Sequence, residues 1–120
     1  MKNFKVIPVL VLTLLFIFGA VGAVSANGTL RIYNDTRYNI SKVYVSPYGK
    51  SYSGQKNSHV IPRGKTFTLG NVPISRSNRY WNIKIYLSNG KSREWKKQDL
   101  YSYREMTVTY SNSKLHADFD

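Results

Sequence analysis

Tyr80-Trp81-Asn82-Ile83-Lys84-Ile85-Tyr86-Leu87-Ser88, with Asn89-Gly90 directly behind it, decides the fold. Trp81, Ile83, Ile85 and Leu87 recur every second residue. Asn82, Lys84, Tyr86 and Ser88 fill the alternate positions. A period of two places successive side chains on opposite faces of a strand, so this stretch reads as a central strand with one buried face. Asn89-Gly90 is a strong hairpin signal because both residues tolerate positive φ, and it predicts a two-residue turn. The chain then returns over Lys91 to Lys97, with Arg93 and Trp95 alternating against Ser92, Glu94 and Lys96.

Outward from this hairpin the same period recurs in shorter pieces. Leu30-Arg31-Ile32-Tyr33 alternates and runs into Asn34-Asp35-Thr36, which supplies turn chemistry, with Asp35 in the place of a residue bonding its own backbone. Ile40 to Ser46 places Val43 and Val45 on one face and Lys42, Tyr44 and Ser46 on the other, and Pro47 closes it because proline has no amide hydrogen for a ladder. Residues 47–59 form a polar loop with two glycines, long enough to be functional or mobile. A short piece, His59-Val60-Ile61, leads to a Pro62-Arg63-Gly64 turn, and Lys65 to Leu69 follows as a strand with Phe67 and Leu69 inward. Arg104 to Tyr110 alternates Met106, Val108 and Tyr110 against Thr107 and Thr109. From Ser111 to Asp120 no period is evident, and this tail is expected to be loosely ordered. Six or seven short strands, each with one buried face, predict an all-β domain: a small antiparallel β-sandwich or barrel.

The N-terminus has a different character. Lys2 and Lys5 precede an apolar run from Val6 to Val21, and Val24-Ser25-Ala26 offers small residues for cleavage. This is the pattern of a secretory signal over residues 1–26, and the small-residue exit favours cleavage over a retained anchor. Residues 27–120 then form a single domain, secreted or periplasmic, with no stable membrane span after cleavage. The chain has no cysteine, which excludes both a lipidated N-terminus and a disulfide framework. Stability must come from packing of aromatic and β-branched residues.

Charge is the most unusual global feature. The whole chain has 18 Lys and Arg against 6 Asp and Glu, and removing Lys2 and Lys5 leaves 16 against 6, a net of +10. Such a surface attracts polyanions. For an exported protein these are anionic envelope or extracellular polymers, or an acidic exported protein. A signal peptide argues against an intracellular nucleic-acid partner.

Catalytic chemistry finds little support. His59 and His116 stand alone, and neither has metal-ligand spacing. Glu94, Asp99 and Glu105 could meet across strands, but ordinary surface charge pairing explains them better than paired-carboxylate hydrolysis. No Gly-x-Ser-x-Gly elbow and no glycine-rich phosphate loop occurs. The expectation is a non-enzyme without cofactor or metal. The stronger candidate is a binding face. Lys42 and Tyr44 point outward on one strand and Lys84 and Tyr86 on another, while Tyr48, Lys50, Tyr52 and Lys56 follow in the long loop. Interleaved aromatic and basic groups can stack on sugars or bases while pairing with anionic groups. An alternative is a protein-interaction or inhibitor domain that acts on another exported protein through the 47–59 loop.

Leu30-Arg31-Ile32-Tyr33-Asn34-Asp35-Thr36, Ile40 to Pro47, Ile61 to Phe67, and Trp81 to Ile85 through Asn89-Gly90 together resemble a family of small exported bacterial β-proteins of unknown function. The resemblance covers about residues 28 to 110. It implies export and a β-sandwich, and it brings no activity with it. Many members of that family carry one cysteine just before the counterpart of Trp81 and another after that of Asp99-Leu100. Here Asn78 to Tyr80 and Tyr101 occupy those regions, so no such disulfide can form.

Overall fold

The computed structural model describes residues 28–120, and the signal-peptide reading of residues 1–26 lies outside the described residues. Seven strands follow in order: β1 (Gly28–Asn34), β2 (Ile40–Pro47), β3 (Thr66–Val72), β4 (Tyr80–Leu87), β5 (Ser92–Asp99), β6 (Glu105–Ser111) and β7 (Lys114–Phe119). They form two open sheets, a four-stranded one in the order β3-β1-β6-β7 and a three-stranded one in the order β2-β4-β5. The architecture is a small β-sandwich, not a closed barrel. Neighbouring strands pair antiparallel except β1 and β6, which run parallel with Ile32 opposite Met106.

The alternation in the sequence becomes the inner face of each sheet. Leu30 and Ile32 of β1, Met106 and Val108 of β6, and Leu115 of β7 face Val43 and Val45 of β2, Trp81, Ile83, Ile85 and Leu87 of β4, and Trp95 of β5 in one buried cluster. Ile40, Ile61, Val72, Ile74 and Leu100 close its ends, and Phe67 and Leu69 pack against it half-buried. Removing such side chains from water at about 25 cal/mol per Å2 of apolar surface is the main driving force.

Three expectations need correction. Residues after Ser111 are not a loose tail: Lys114–Phe119 is strand β7, paired antiparallel along the whole of β6 from Met106↔Phe119 to Ser111↔Lys114. Leu115, Ala117 and Phe119 face inward against the core in alternation with Lys114, His116 and Asp118, a period masked by the small size of Ala117. The turn at Asn89-Gly90 is also different. Only Gly90 takes a positive φ, of 89°. Gly90 N–H donates to the Leu87 carbonyl and Leu87 N–H to the Lys91 carbonyl, so Ser88-Asn89-Gly90 form a three-residue loop. A two-residue turn with both φ positive instead joins β6 to β7 at Asn112 (52°) and Ser113 (62°). Finally, Asn34, not Asp35, organises the first turn. Its side chain is fully buried and donates to the carbonyls of Tyr38 and Ile61, while its Oδ1 accepts from the Thr36 amide and hydroxyl.

The 47–59 loop is pinned rather than free. Lys56 N–H donates to the Val43 carbonyl, Asn57 Oδ1 accepts from Val43 N–H at 2.8 Å, and Asn57 Nδ2 donates to the carbonyls of Ser41 and His59. The buried Asn57 thereby caps the outer edge of β2, which would otherwise present unpaired backbone groups. At the start of β4, Arg79 grips Asp99 at the end of β5 through two bonds of 3.1 and 2.6 Å. This ion pair joins the two strand ends, since the chain has no disulfide.

Candidate functional site

The outer face of the three-stranded sheet carries most of the residues singled out from the sequence. Because Val43, Val45, Ile83 and Ile85 point into the core, Lys42, Tyr44, Lys84 and Tyr86 must point out. Cross-strand register then matters. Lys42 lies opposite Tyr86, and Tyr44 lies opposite Lys84, so the four form a checkerboard in which each lysine faces a tyrosine. A register shift between Ile40 and Lys42 sets this arrangement, with the hydroxyl of Ser41 donating to the Tyr86 carbonyl.

Both ammonium groups converge on one ring. Lys42 Nζ lies 5.5 Å and Lys84 Nζ 5.2 Å from the centre of Tyr86. Each contact contributes about 0.5–1 kcal/mol at an exposed site, enough to order the side chain without using its three donors. Among the described residues neither lysine belongs to an ion pair. Tyr44 packs edge-on against Tyr86 at 6.0 Å and tilted against Tyr52 at 5.8 Å, so the loop adds a third ring to the platform. Two cations with open valences over a tyrosine surface can hold acidic groups and stack on a flat or C–H-bearing face at the same time.

Beside this platform the turn after Pro47 stands over β4 and β5 and leaves a groove of about 540 Å3 lined by Tyr48, Lys50, Tyr52, Asn82, Glu94 and Lys96, among others. Gly49, at φ 87°, makes the turn, and Lys50 N–H donates to the Pro47 carbonyl. Asn82 is nearly buried in the groove floor, where its Oδ1 accepts from the Lys97 amide and holds the bulge of β5. Tyr52 donates its hydroxyl to Glu94 Oε2 at 2.5 Å, and Lys96 Nζ lies 4.0 Å from Oε1. Burial, then the bond to Glu94 and its negative charge, pushes the Tyr52 phenol far above the ordinary tyrosine range.

At the far end of the face a second basic and aromatic group continues the pattern. Lys97 Nζ lies 5.6 Å from the Tyr48 ring and 5.5 Å from that of Tyr80, and the Arg79 guanidinium lies between Tyr80 and Tyr101 at 5.6 and 5.2 Å. Arg79 holds Asp99 below the usual carboxylate value by its hydrogen bond, against the opposing effect of burial, with Ser102 adding further bonds. Tyr80 belongs to the outward alternation of β4, but the place of Lys97 depends on a bulge at positive φ (56°), which no period in the sequence foretells.

Of the eight residues expected at the site, Lys42, Tyr44, Tyr52, Lys84 and Tyr86 form the platform, and Tyr48 and Lys50 line the adjoining groove. Lys56 lies elsewhere. Its ammonium reaches Ser53 Oγ at 3.3 Å, and the residue lines a cleft between the ends of β2 and β3 that has Val45, Leu69, Val72 and Trp81 in its walls. The three carboxylates weighed for catalysis stand apart in separate pairs: Glu94 with Tyr52 and Lys96, Asp99 with Arg79, and Glu105 with Arg31 on the opposite sheet. Among the described residues no group of three or more histidines and carboxylates is placed to hold a metal ion.

No family model and no curated protein matches the chain. Among solved structures, the NMR structure of a protein from Eubacterium rectale is similar, with a TM-score of 0.56 at 10% identity over 78% of this chain and 88% of that one. At that identity the likeness is one of fold alone.

Proposed function

We propose that this chain is an exported, non-enzymatic binding module that holds an anionic envelope or extracellular polymer against the outer face of β2, β4 and β5. The observation that carries the reading is the pair of unpaired ammonium groups, Lys42 and Lys84, ordered over the single ring of Tyr86. Ordered cations lose less side-chain freedom on binding than mobile ones, so more of each Coulomb contact survives as affinity. The net positive charge of the chain supplies long-range attraction, and the tyrosines supply short-range contact. The alternative, docking of another exported protein through the 47–59 loop, is narrowed by the pinning of Lys56 and Asn57, which leaves Tyr48 to Gln55 and the exposed Ser58 and His59 as its accessible parts.

Residues 28–120 contain both sheets and the whole described core, so the test uses the domain 27–120. Binding to duplex DNA, serving as a polyanion of known charge density, is followed through a salt series for the native sequence and for Lys42→Ala with Lys84→Ala. Each lysine that neutralises a phosphate contributes about 0.9 to the slope of log K against log salt, so the double variant should lose about 1.8 from the slope. An unchanged slope would remove these two lysines from the contact and the proposal with them.

A further inference from the structure

Resting on that reading, we propose that the groove between Tyr48 and Tyr52 seats an uncharged, hydroxyl-bearing sugar ring, so that the polymer held is an acidic glycan in which neutral and acidic rings alternate.

Glu94 is the carboxylate of this groove. The outer face is otherwise basic, and its other carboxylate, Asp99, is engaged by Arg79 at the far end. Glu94 lines the groove, takes one hydrogen bond from Tyr52, and meets Lys96 only at the limit of ion-pair distance. An ionised carboxylate accepts about four hydrogen bonds, so most of its capacity is open to a ligand. Lys50 and Lys96 also line the groove, so its charge is mixed, but a phosphate or carboxylate seated against Glu94 itself would meet like charge. A sugar hydroxyl would instead donate to it, and the charge would strengthen that bond. An anion-binding face that puts a carboxylate in a tyrosine-walled groove favours a hydroxyl-bearing, uncharged portion of a chain against that carboxylate.

The flanking cations complete the pattern. Along β4, Asn82 forms the groove floor, Lys84 lies two residues to one side, and Tyr80, with Lys97 over its ring, lies two residues to the other. At about 3.3 Å per residue, Lys84 and Tyr80 are rooted roughly 6–7 Å on either side of Asn82 along the strand, and the ammonium of Lys97 also lies against the Tyr48 ring in the groove wall. A ligand laid along β4 meets Lys84, the groove with its mixed charge, and Lys97 in turn. Tyr48, with half of its surface exposed, and Tyr52 flank the central position. The C–H faces of a pyranose carry partial positive charge and suit the negative face of a phenol ring. The volume of about 540 Å3 is in the range of small-ligand sites.

The experiment compares two polyanions on the domain 27–120: hyaluronan, whose uronate rings alternate with neutral rings, and inorganic polyphosphate, which has charge at every unit and no ring. The native sequence should bind hyaluronan at least tenfold tighter per charge. Tyr48→Ala should weaken hyaluronan about tenfold and leave polyphosphate within twofold. Glu94→Gln, which keeps the shape and removes the charge, should tighten polyphosphate several-fold and weaken hyaluronan. Equal affinity for the two polymers, or equal effects of both substitutions on them, would overturn the groove assignment and leave the basic platform standing. Failure of both polymers to bind at low salt would overturn the platform and the groove together.

Discussion

Replacing Asn57 by alanine removes the peg that holds the long loop to β2, and the cost can be worked from its bonds. Val43 N–H loses its acceptor at 2.8 Å in a buried position, which costs about 1–3 kcal/mol. The carbonyls of Ser41 and His59 lose donors at 3.1 and 2.9 Å, but both bonds are only part-buried, so water recovers much of their loss and each adds about 0.5 kcal/mol. The sum is about 2–4 kcal/mol, a large share of the roughly 5–15 kcal/mol that holds a typical domain. Urea unfolding followed by fluorescence of the buried Trp81 and Trp95 should give a lower midpoint at an unchanged slope. Hydrogen exchange at the Val43 amide should accelerate by more than global destabilisation explains, because the edge of β2 opens locally. A loss below about 0.5 kcal/mol with Val43 protection intact would refute the claim that Asn57 seals this edge.

Two further outcomes follow from the backbone and the ion pairs. Ser113→Gly should stabilise the domain by about 0.5–1 kcal/mol in thermal unfolding, because a left-handed φ of 62° costs a serine about 1–2 kcal/mol while added chain entropy offsets part of the relief; a destabilised variant would contradict the turn geometry. Asp99 is held below the ordinary carboxylate value of about 3.9, so the unfolded chain binds its proton first, and the stability this gives is present above that value and drains away as the pH falls through the lowered one. Asp99→Asn should flatten the acid limb of stability against pH, whereas an identical limb would show that Arg79 and Asp99 do not couple to folding.

What the sequence revealed and what it hid divide along physical lines. β4 was legible because four large apolar side chains alternate with polar ones over its whole length, and only one face of a strand can hold them. The outward direction of Lys42, Tyr44, Lys84 and Tyr86 followed from the same period. Their checkerboard did not, because it depends on the register of β2 against β4, shifted near Ser41, and register is a property of two segments. β7 stayed hidden because Ala117 is too small to mark an inner face and the turn before it rests on Ser113, a residue that seldom takes a left-handed φ. Asn57 was invisible for a different reason. An amide in a polar loop looks like solvent-facing surface until the edge of β2 is found beneath it. The groove residues Asn82 and Glu94 lay in plain alternation, but only the turn after Pro47, standing over them, makes them walls of one site.

A two-dimensional NMR titration of the domain 27–120 with hyaluronan oligosaccharides, reading backbone amide shifts residue by residue, tests the binding face most directly. The perturbed amides should cluster around Lys42, Tyr44, Tyr48, Tyr52, Asn82, Lys84, Tyr86 and Glu94, their shifts should shrink with added salt, and the outer face of β3, β1, β6 and β7 should stay silent. Perturbations centred on Arg31, Thr68 and Thr107 of that opposite face, or none at saturating ligand in low salt, would contradict it.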